Sequence, residues 1–259
     1  MRRVRVDGLD IAYRRAGQGP PLVLIHGLLC DSRAWRWQID ALSDEFTVVA
    51  WDAPGCGASA DPPPTFDYAK CLGDFMVALD LGPSHVVGLS FGSVLALQLY
   101  GHRPELVRSL VLAAAYAGWA GSLSQDEVER RTSLTLAMAG RSPADVADWF
   151  IPTLLTEAAP DALRAEIEVM VRDFHPAGVT AMIRAFGPAN LRDLLPAIEV
   201  PTLLVYGDAD ARSPLTIAED FASRIPGARL VVVPGAGHLN NAEAPEAFNA
   251  AVRSFLRSG

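Results

Sequence analysis

The sequence predicts an α/β protein: a mostly parallel sheet of eight strands, interrupted after the sixth strand by an all-helical insertion. Three observations carry this. Six short apolar runs (residues 22–25, 47–50, 85–89, 110–113, 202–206 and 230–233) are continuous rather than alternating, as suits strands covered on both faces. Helical stripes lie between several of these runs. The alternation then lapses from residue 117 to 196, where helix signals occur without any strand-like run.

Taken in order, Val4-Arg5-Val6 and Ile11-Ala12-Tyr13 alternate around Asp7-Gly8 and read as an opening hairpin, the first two strands. Tyr68, Leu72, Phe75, Met76 and Leu79 fall on one helical face after the fourth strand. Residues 91–99 are apolar nearly all round, which predicts a helix buried behind the fifth strand. Inside the insertion, Ser124-x-x-Glu127 and Ser142-x-x-Asp145 are helix N-terminal patterns. Leu163, Ile167, Met170, Val171 and Phe174 form one stripe there, and Val179, Met182, Ile183 and Phe186 another. Phe248, Ala251, Val252, Phe255 and Leu256 predict a closing helix. The expected division is a core of residues 1–116 and 197–259 and a helical unit of residues 117–196.

Composition narrows the function. The chain has 259 residues, with 22 Lys+Arg against 30 Asp+Glu and a net charge of −8. Lys70 is the single lysine and the arginines are scattered, which argues against a nucleic-acid partner. No apolar stretch reaches the 18 or so residues of a membrane span, so no membrane partner is expected. The early arginines lack an apolar segment behind them, unlike a secretory signal, and the three cysteines form no CxxC pair. Both point to a reducing, cytoplasmic setting in which Cys30, Cys56 and Cys71 pack as small hydrophobes. Oligomeric state is left open.

Gly88-Leu89-Ser90-Phe91-Gly92 follows an apolar run and opens the buried helix. A serine on a sharp strand-to-helix turn has its Oγ pushed out at the sheet edge, with a helix N-terminus behind it that favours developing negative charge. Ser90 needs a base, and the chain offers five histidines. His85 is committed to a strand, His102 ends a helix in Tyr100-Gly101-His102-Arg103-Pro104, His175 precedes Pro176, and His26 ends a strand beside Gly27. His238 alone sits in a loop past a late strand and is the candidate base. The base needs a carboxylate, for which Asp208 and Asp210 compete.

These residues resemble the α/β-hydrolase superfamily over nearly the whole chain. His26-Gly27, the D-x-x-G-x-G-x-S loop from Asp52 to Ser59, Gly207-Asp208-Ala209-Asp210 and Gly235-Ala236-Gly237-His238 match it, in the chain order Ser, Asp, His. The resemblance implies the α/β-hydrolase fold, with residues 117–196 as its cap. Its G-x-x-D-x-x-x-P pattern selects Asp210, between Gly207 and Pro214, as the acid and leaves Asp208 to bond loop amides. It also implies an oxyanion hole made by the backbone N–H groups of Leu28 and Phe91, with Gly27 permitting the tight turn. Asp52, Ser59 and His26 are expected to be structural, and Cys30 and Cys56 not to be nucleophiles. No metal or organic cofactor is implied.

The substrate pocket is expected to draw on Leu29, Trp119, Leu134, Met138, Trp149, Phe150, Phe186 and Leu239, with Trp119 the leading candidate. No paired basic residues mark a pocket position, so the expected partner is a small to medium uncharged ester or lactone, cleaved through an acyl-enzyme. Residues 237–248 also resemble enol-lactone hydrolases, related esterases and cofactor-free haloperoxidases. Carbon–carbon bond hydrolysis, perhydrolysis, acyl transfer and a non-enzymatic ligand receptor on the same fold are the alternatives. Ser90 argues against haloalkane dehalogenases and epoxide hydrolases, which place Asp there.

Overall fold

A computed structural model describes residues 1–258. It contains one eight-stranded sheet in the order β1-β2-β4-β3-β5-β6-β7-β8. The strands are β1 (Arg2–Val6), β2 (Leu9–Ala16), β3 (Pro21–Ile25), β4 (Thr47–Trp51), β5 (Ser84–Leu89), β6 (Val107–Ala113), β7 (Thr202–Gly207) and β8 (Arg229–Val233). β1 and β2 form the antiparallel edge, as the Asp7-Gly8 signal predicts, and β3 to β8 are parallel. β4, β5 and β7 are buried along their whole length, which accounts for their unbroken apolar runs.

The strand order reverses at β3, with β4 on one side and β5 on the other. In an open parallel sheet such a reversal opens a crevice at the carboxyl ends of the two strands. The loop after β3 and the turn after β5 therefore meet at one point.

The helices outside the insertion are α1 (Arg36–Leu42), α2 (Tyr68–Ala78), α3 (Phe91–His102), α9 (Leu215–Arg224), α10 (Asn240–Glu243) and α11 (Pro245–Arg257). Between β6 and β7 lie α4 (Trp119–Ser122), α5 (Gln125–Met138), α6 (Pro143–Leu154), α7 (Asp161–Arg172) and α8 (Pro176–Phe186), with no strand. Ser124 and Ser142 accept from the N–H groups of Glu127 and Asp145, so both predicted caps form. Phe174 falls beyond α7, whose C-cap is Asp173.

This helical segment packs on loops leaving the carboxyl ends of the strands. Gly178 of α8 lies so close to Gly55, after β4, that a Cβ on either residue would meet the other's backbone. Arg33, after β3, pairs with Asp173 at 2.7 Å. Leu239, after β8, donates its N–H to the Leu154 carbonyl at 3.1 Å. Among the described residues, no helix is long and apolar enough to cross a membrane.

Candidate active site

β5 ends at Leu89 and α3 begins at Phe91, leaving Ser90 to make the whole turn. Its backbone is forced to φ +54° and ψ −116°, a strained conformation for a residue with a side chain. The flanking glycines make the turn possible. A Cβ on Gly88 would lie 2.4 Å from the Gly92 carbonyl oxygen, and one on Gly92 2.1 Å from that of Ile25. Ser93, one helical turn on, donates its hydroxyl to the Ser90 carbonyl and accepts the Tyr116 N–H, tying the turn to the end of β6.

The sheet brings the three candidate side chains together. Ser90 Oγ donates to His238 Nε2 at 2.8 Å, and His238 Nδ1 donates to Asp210 Oδ2 at 2.8 Å. The carboxylate accepts at Nδ1, which fixes the tautomer and leaves Nε2 as an acceptor for the hydroxyl. Asp210 Oδ1 accepts from the N–H groups of Arg212 at 2.8 Å and Ser213 at 2.9 Å. Burial alone would raise the Asp210 carboxyl, but the imidazole and these backbone donors outweigh it and hold it below its ordinary value. Asp208 points elsewhere and accepts from Gly235 N–H.

Gly27 sits beside Ser90: a Cβ there would lie 3.4 Å from Ser90 Cβ. The turn is closed by Cys30 N–H on the Gly27 carbonyl, and its left-handed residue is Leu29 at φ +58°. Gly27 is thus not required by a left-handed backbone, the reason the sequence suggests; its missing Cβ leaves open space beside Ser90 Oγ. Among the described residues, the Leu28 and Phe91 amides form no hydrogen bond with a protein acceptor.

The other polar residues near the site are occupied. His26 donates Nδ1–H to the Gly27 carbonyl at 2.8 Å and accepts Ala53 N–H at Nε2 at 3.0 Å, stapling the loops after β3 and β4. Burial lowers its pKa, which keeps it neutral for both bonds. Asp52 accepts from the amides of Ser32 and Ala58, and Ser59 bridges the Asp52 carbonyl and Ala12 N–H. Burial pushes the Cys30 thiol up to about 12 and Cys56 well above its ordinary value. Such thiols are poor nucleophiles.

Of the expected pocket residues, Trp119 and Phe186 pack edge-on against Phe91, the residue after Ser90, with ring centroids 5.1 and 5.5 Å away. Leu29 and Leu239 are buried neighbours of Leu28 and His238. Phe150 is buried beside Trp149, and Met138 is half-buried. Leu134 is 36% exposed and lines, with Trp149, a recess whose lining does not include Ser90. Ser90 itself is buried, at only 5% exposed.

Sequence reasoning missed Ser93, Tyr116, Ser213, Arg212 and Glu243. The Tyr116 ring lies 6.4 Å from that of His238. Glu243 fixes the histidine loop through Gly237 N–H. Ser93, Arg212, Ser213 and Glu243 stand in segments the sequence had marked, but nothing local gives their side chains these partners; Tyr116 stands outside such a motif.

A model described as the alpha/beta hydrolase family matches residues 22–251. A malate-bound thermophilic esterase from Thermogutta terrifontis superposes with a TM-score of 0.92 at 30% identity, covering 100% of this chain and 99% of that one. The enol-lactonase from Burkholderia xenovorans LB400 superposes with a TM-score of 0.90 at 26% identity, covering 99% and 100%. A pimeloyl-[acyl-carrier protein] methyl ester esterase of Neisseria meningitidis serogroup B is 31% identical over 242 residues, covering 91% of this chain and 92% of the relative.

Proposed function

The chain belongs to the alpha/beta hydrolase family, and from that premise we propose that it is a serine hydrolase cleaving a small to medium ester or lactone. The observation that carries this reading is the continuous relay from Ser90 Oγ to His238 Nε2 and from His238 Nδ1 to Asp210, each link 2.8 Å. Here residues 1–116 and 197–259 are the catalytic core, and residues 117–196 are the cap that closes over it.

Ser90 Oγ attacks the acyl carbon while His238 Nε2 takes its proton. Asp210 stabilises the imidazolium and holds its tautomer. The amides of Leu28 and Phe91 take the tetrahedral oxyanion, a role supported by their lack of another acceptor. On collapse the carbon–oxygen bond to the alcohol breaks and His238 returns the proton to that oxygen. Water, deprotonated by the same imidazole, then attacks the acyl-enzyme, and Ser90 leaves with its proton restored. Trp119, Phe91 and Phe186 form the apolar wall beside the acyl group.

The test is a panel of chromogenic short-chain esters and lactones, with intact-mass detection of the acyl adduct on Ser90. Turnover that disappears in Ser90→Ala supports the reading. Ligand-induced stabilisation without product from any member of the panel would overturn it.

A further inference from the structure

A recess of about 160 Å³ opens between α5, α6 and the loop that follows β7. Its lining includes Arg130, Arg131 and Arg212 with Leu134, Trp149 and Thr153, and no carboxylate. In a chain with a net charge of −8, a lining with three arginines and no acid runs against the composition.

The three cations are unequally served. Arg130 and Arg131 share the one carboxylate of Glu127. Arg131 also donates to the Tyr116 hydroxyl and the Arg212 carbonyl. The Arg212 guanidinium stacks 4.7 Å from the Phe150 ring centroid and donates through Nη1 to Thr153 Oγ1 at 2.9 Å. Its Nε is buried without a hydrogen-bond partner. The nearest acid in the chain, Asp210, already accepts from His238 and from the amides of Arg212 and Ser213. Burial, and repulsion from Arg131, lower the Arg212 pKa, and the charge of a bound anion would offset both. A buried guanidinium donor with no acceptor is costly, and a planar fork of N–H groups matches a carboxylate.

We propose that this recess is a carboxylate-binding site in which Arg212 is the principal ligand and Arg131 and Arg130 supply the supporting field. The volume equals about five waters at roughly 30 Å³ each, which suits a short aliphatic carboxylate. Leu134 and Trp149 take its apolar stem. The carboxylate is either the far end of the substrate or a separate small acid. The lining does not include Ser90 or His238, so carboxylate binding there can be measured whether or not the hydrolytic reading holds.

The experiment titrates butyrate and butyramide into the Ser90→Ala protein, following the Arg212 Nε–H and Trp149 indole resonances by NMR. Butyrate should shift both and butyramide neither. Arg212→Met, which keeps an apolar stem over Phe150, should weaken butyrate binding by at least about tenfold, with Arg212→Lys recovering part of the loss. Should Arg212→Met fail to fold, the exposed Arg130→Gln still tests the site, since it should weaken butyrate binding and flatten its salt dependence. Equal shifts with butyrate and butyramide, or unchanged butyrate affinity in Arg212→Met and Arg130→Gln, would overturn the proposal. Butyrate added to the active protein separates the two sources. Competition against a neutral ester marks the far end of the substrate site, and binding without competition marks a separate acid.

Discussion

Glu243 grips Thr156: one carboxylate oxygen accepts both the backbone N–H and the hydroxyl of Thr156, each at 2.7 Å. The other oxygen accepts Gly237 N–H, one residue before His238. The end of α6 and the loop of the proposed base are therefore locked to one side chain. Glu243→Ala should cost about 1–3 kcal/mol of stability, the range for unpairing partly buried donors to a charged acceptor. It should also lower kcat by about tenfold, because the imidazole loses its fixed position. Thermal melts and ester kinetics check both. An unchanged kcat in a destabilised protein would reduce Glu243 to a strut.

Ser90→Ala and His238→Ala should each lower kcat by several orders of magnitude, and the double variant should be little worse, since the relay works as a unit. Asp210→Asn should lose far more than Asp208→Asn. Asp210 faces the imidazole, whereas Asp208 only accepts from Gly235 N–H. Steady-state kinetics on the five variants decide it, and a larger loss in Asp208→Asn would reverse the assignment.

Residues 202–206 were legible because a strand covered on both faces has to be apolar throughout. The same reading fails for residues 230–233: β8 is the edge of the sheet, where Leu230 and Val231 are half-buried and Val232 is exposed. Ser90 and His238 stood out from their places after strands, whereas the residues alone left Asp208 and Asp210 open and only the resemblance to the α/β-hydrolase pattern chose Asp210, the one that meets His238. Less could be read where the cause is tertiary. α1 has seven residues and α4 four, too short for a periodic stripe. Leu134 is apolar but 36% exposed, and no local signal distinguishes a recess wall from a pocket wall. Arg212 stands two residues after Asp210, and its unpaired Nε follows only from how α6 packs over it.

Trp119 lies edge-on to Phe91 with its centroid 5.1 Å away and is 1% exposed. In the proposed reading it supplies contact area to the acyl group and no proton. Trp119→Ala should raise KM and lengthen the preferred acyl chain while changing the acylation rate less. The cavity also costs about 3–5 kcal/mol of stability, so a cooler assay or the milder Trp119→Phe accompanies it. A collapse of the acylation rate with KM unchanged would refute the wall.

Acid should weaken the fold well before its carboxylates titrate. Burial lowers the His85 pKa to about 4, from an ordinary 6.5, and lowers that of His26 too. As pH falls below 6.5 the unfolded chain takes up these protons first, so stability declines between pH 6.5 and about 4. The His85 share is at most about 3 kcal/mol, from about 1.4 kcal/mol per pKa unit. Urea unfolding between pH 7 and 4.5 measures the slope. His85→Gln keeps a partner for Ser109, which accompanies His85 Nδ1 at 2.8 Å, and should flatten that slope. An identical slope in the variant would count against it.

Gly27 and Gly92 offer a contrast that separates crowding of the nucleophile from damage to the fold. A Cβ on Gly92 would lie 2.1 Å from the Ile25 carbonyl oxygen, a backbone atom that cannot yield, so Gly92→Ala should not fold normally. A Cβ on Gly27 would meet Leu89 O and Ser90 Cβ at 3.4 Å and Ser90 Oγ at 3.9 Å, all ordinary contacts. Gly27 also lacks a left-handed φ. Gly27→Ala should therefore fold, with stability unchanged or raised by about 0.4–1 kcal/mol through the unfolded chain. The added methyl occupies space beside Oγ where an attacked carbonyl and its oxyanion would form. Activity toward esters should fall by about 10²-fold or more, since losing one oxyanion donor costs that much. Melting temperature and kcat measured on one preparation check this. A variant that keeps both full stability and full activity would place the reacting carbonyl on the far side of Ser90, away from the Leu28 amide.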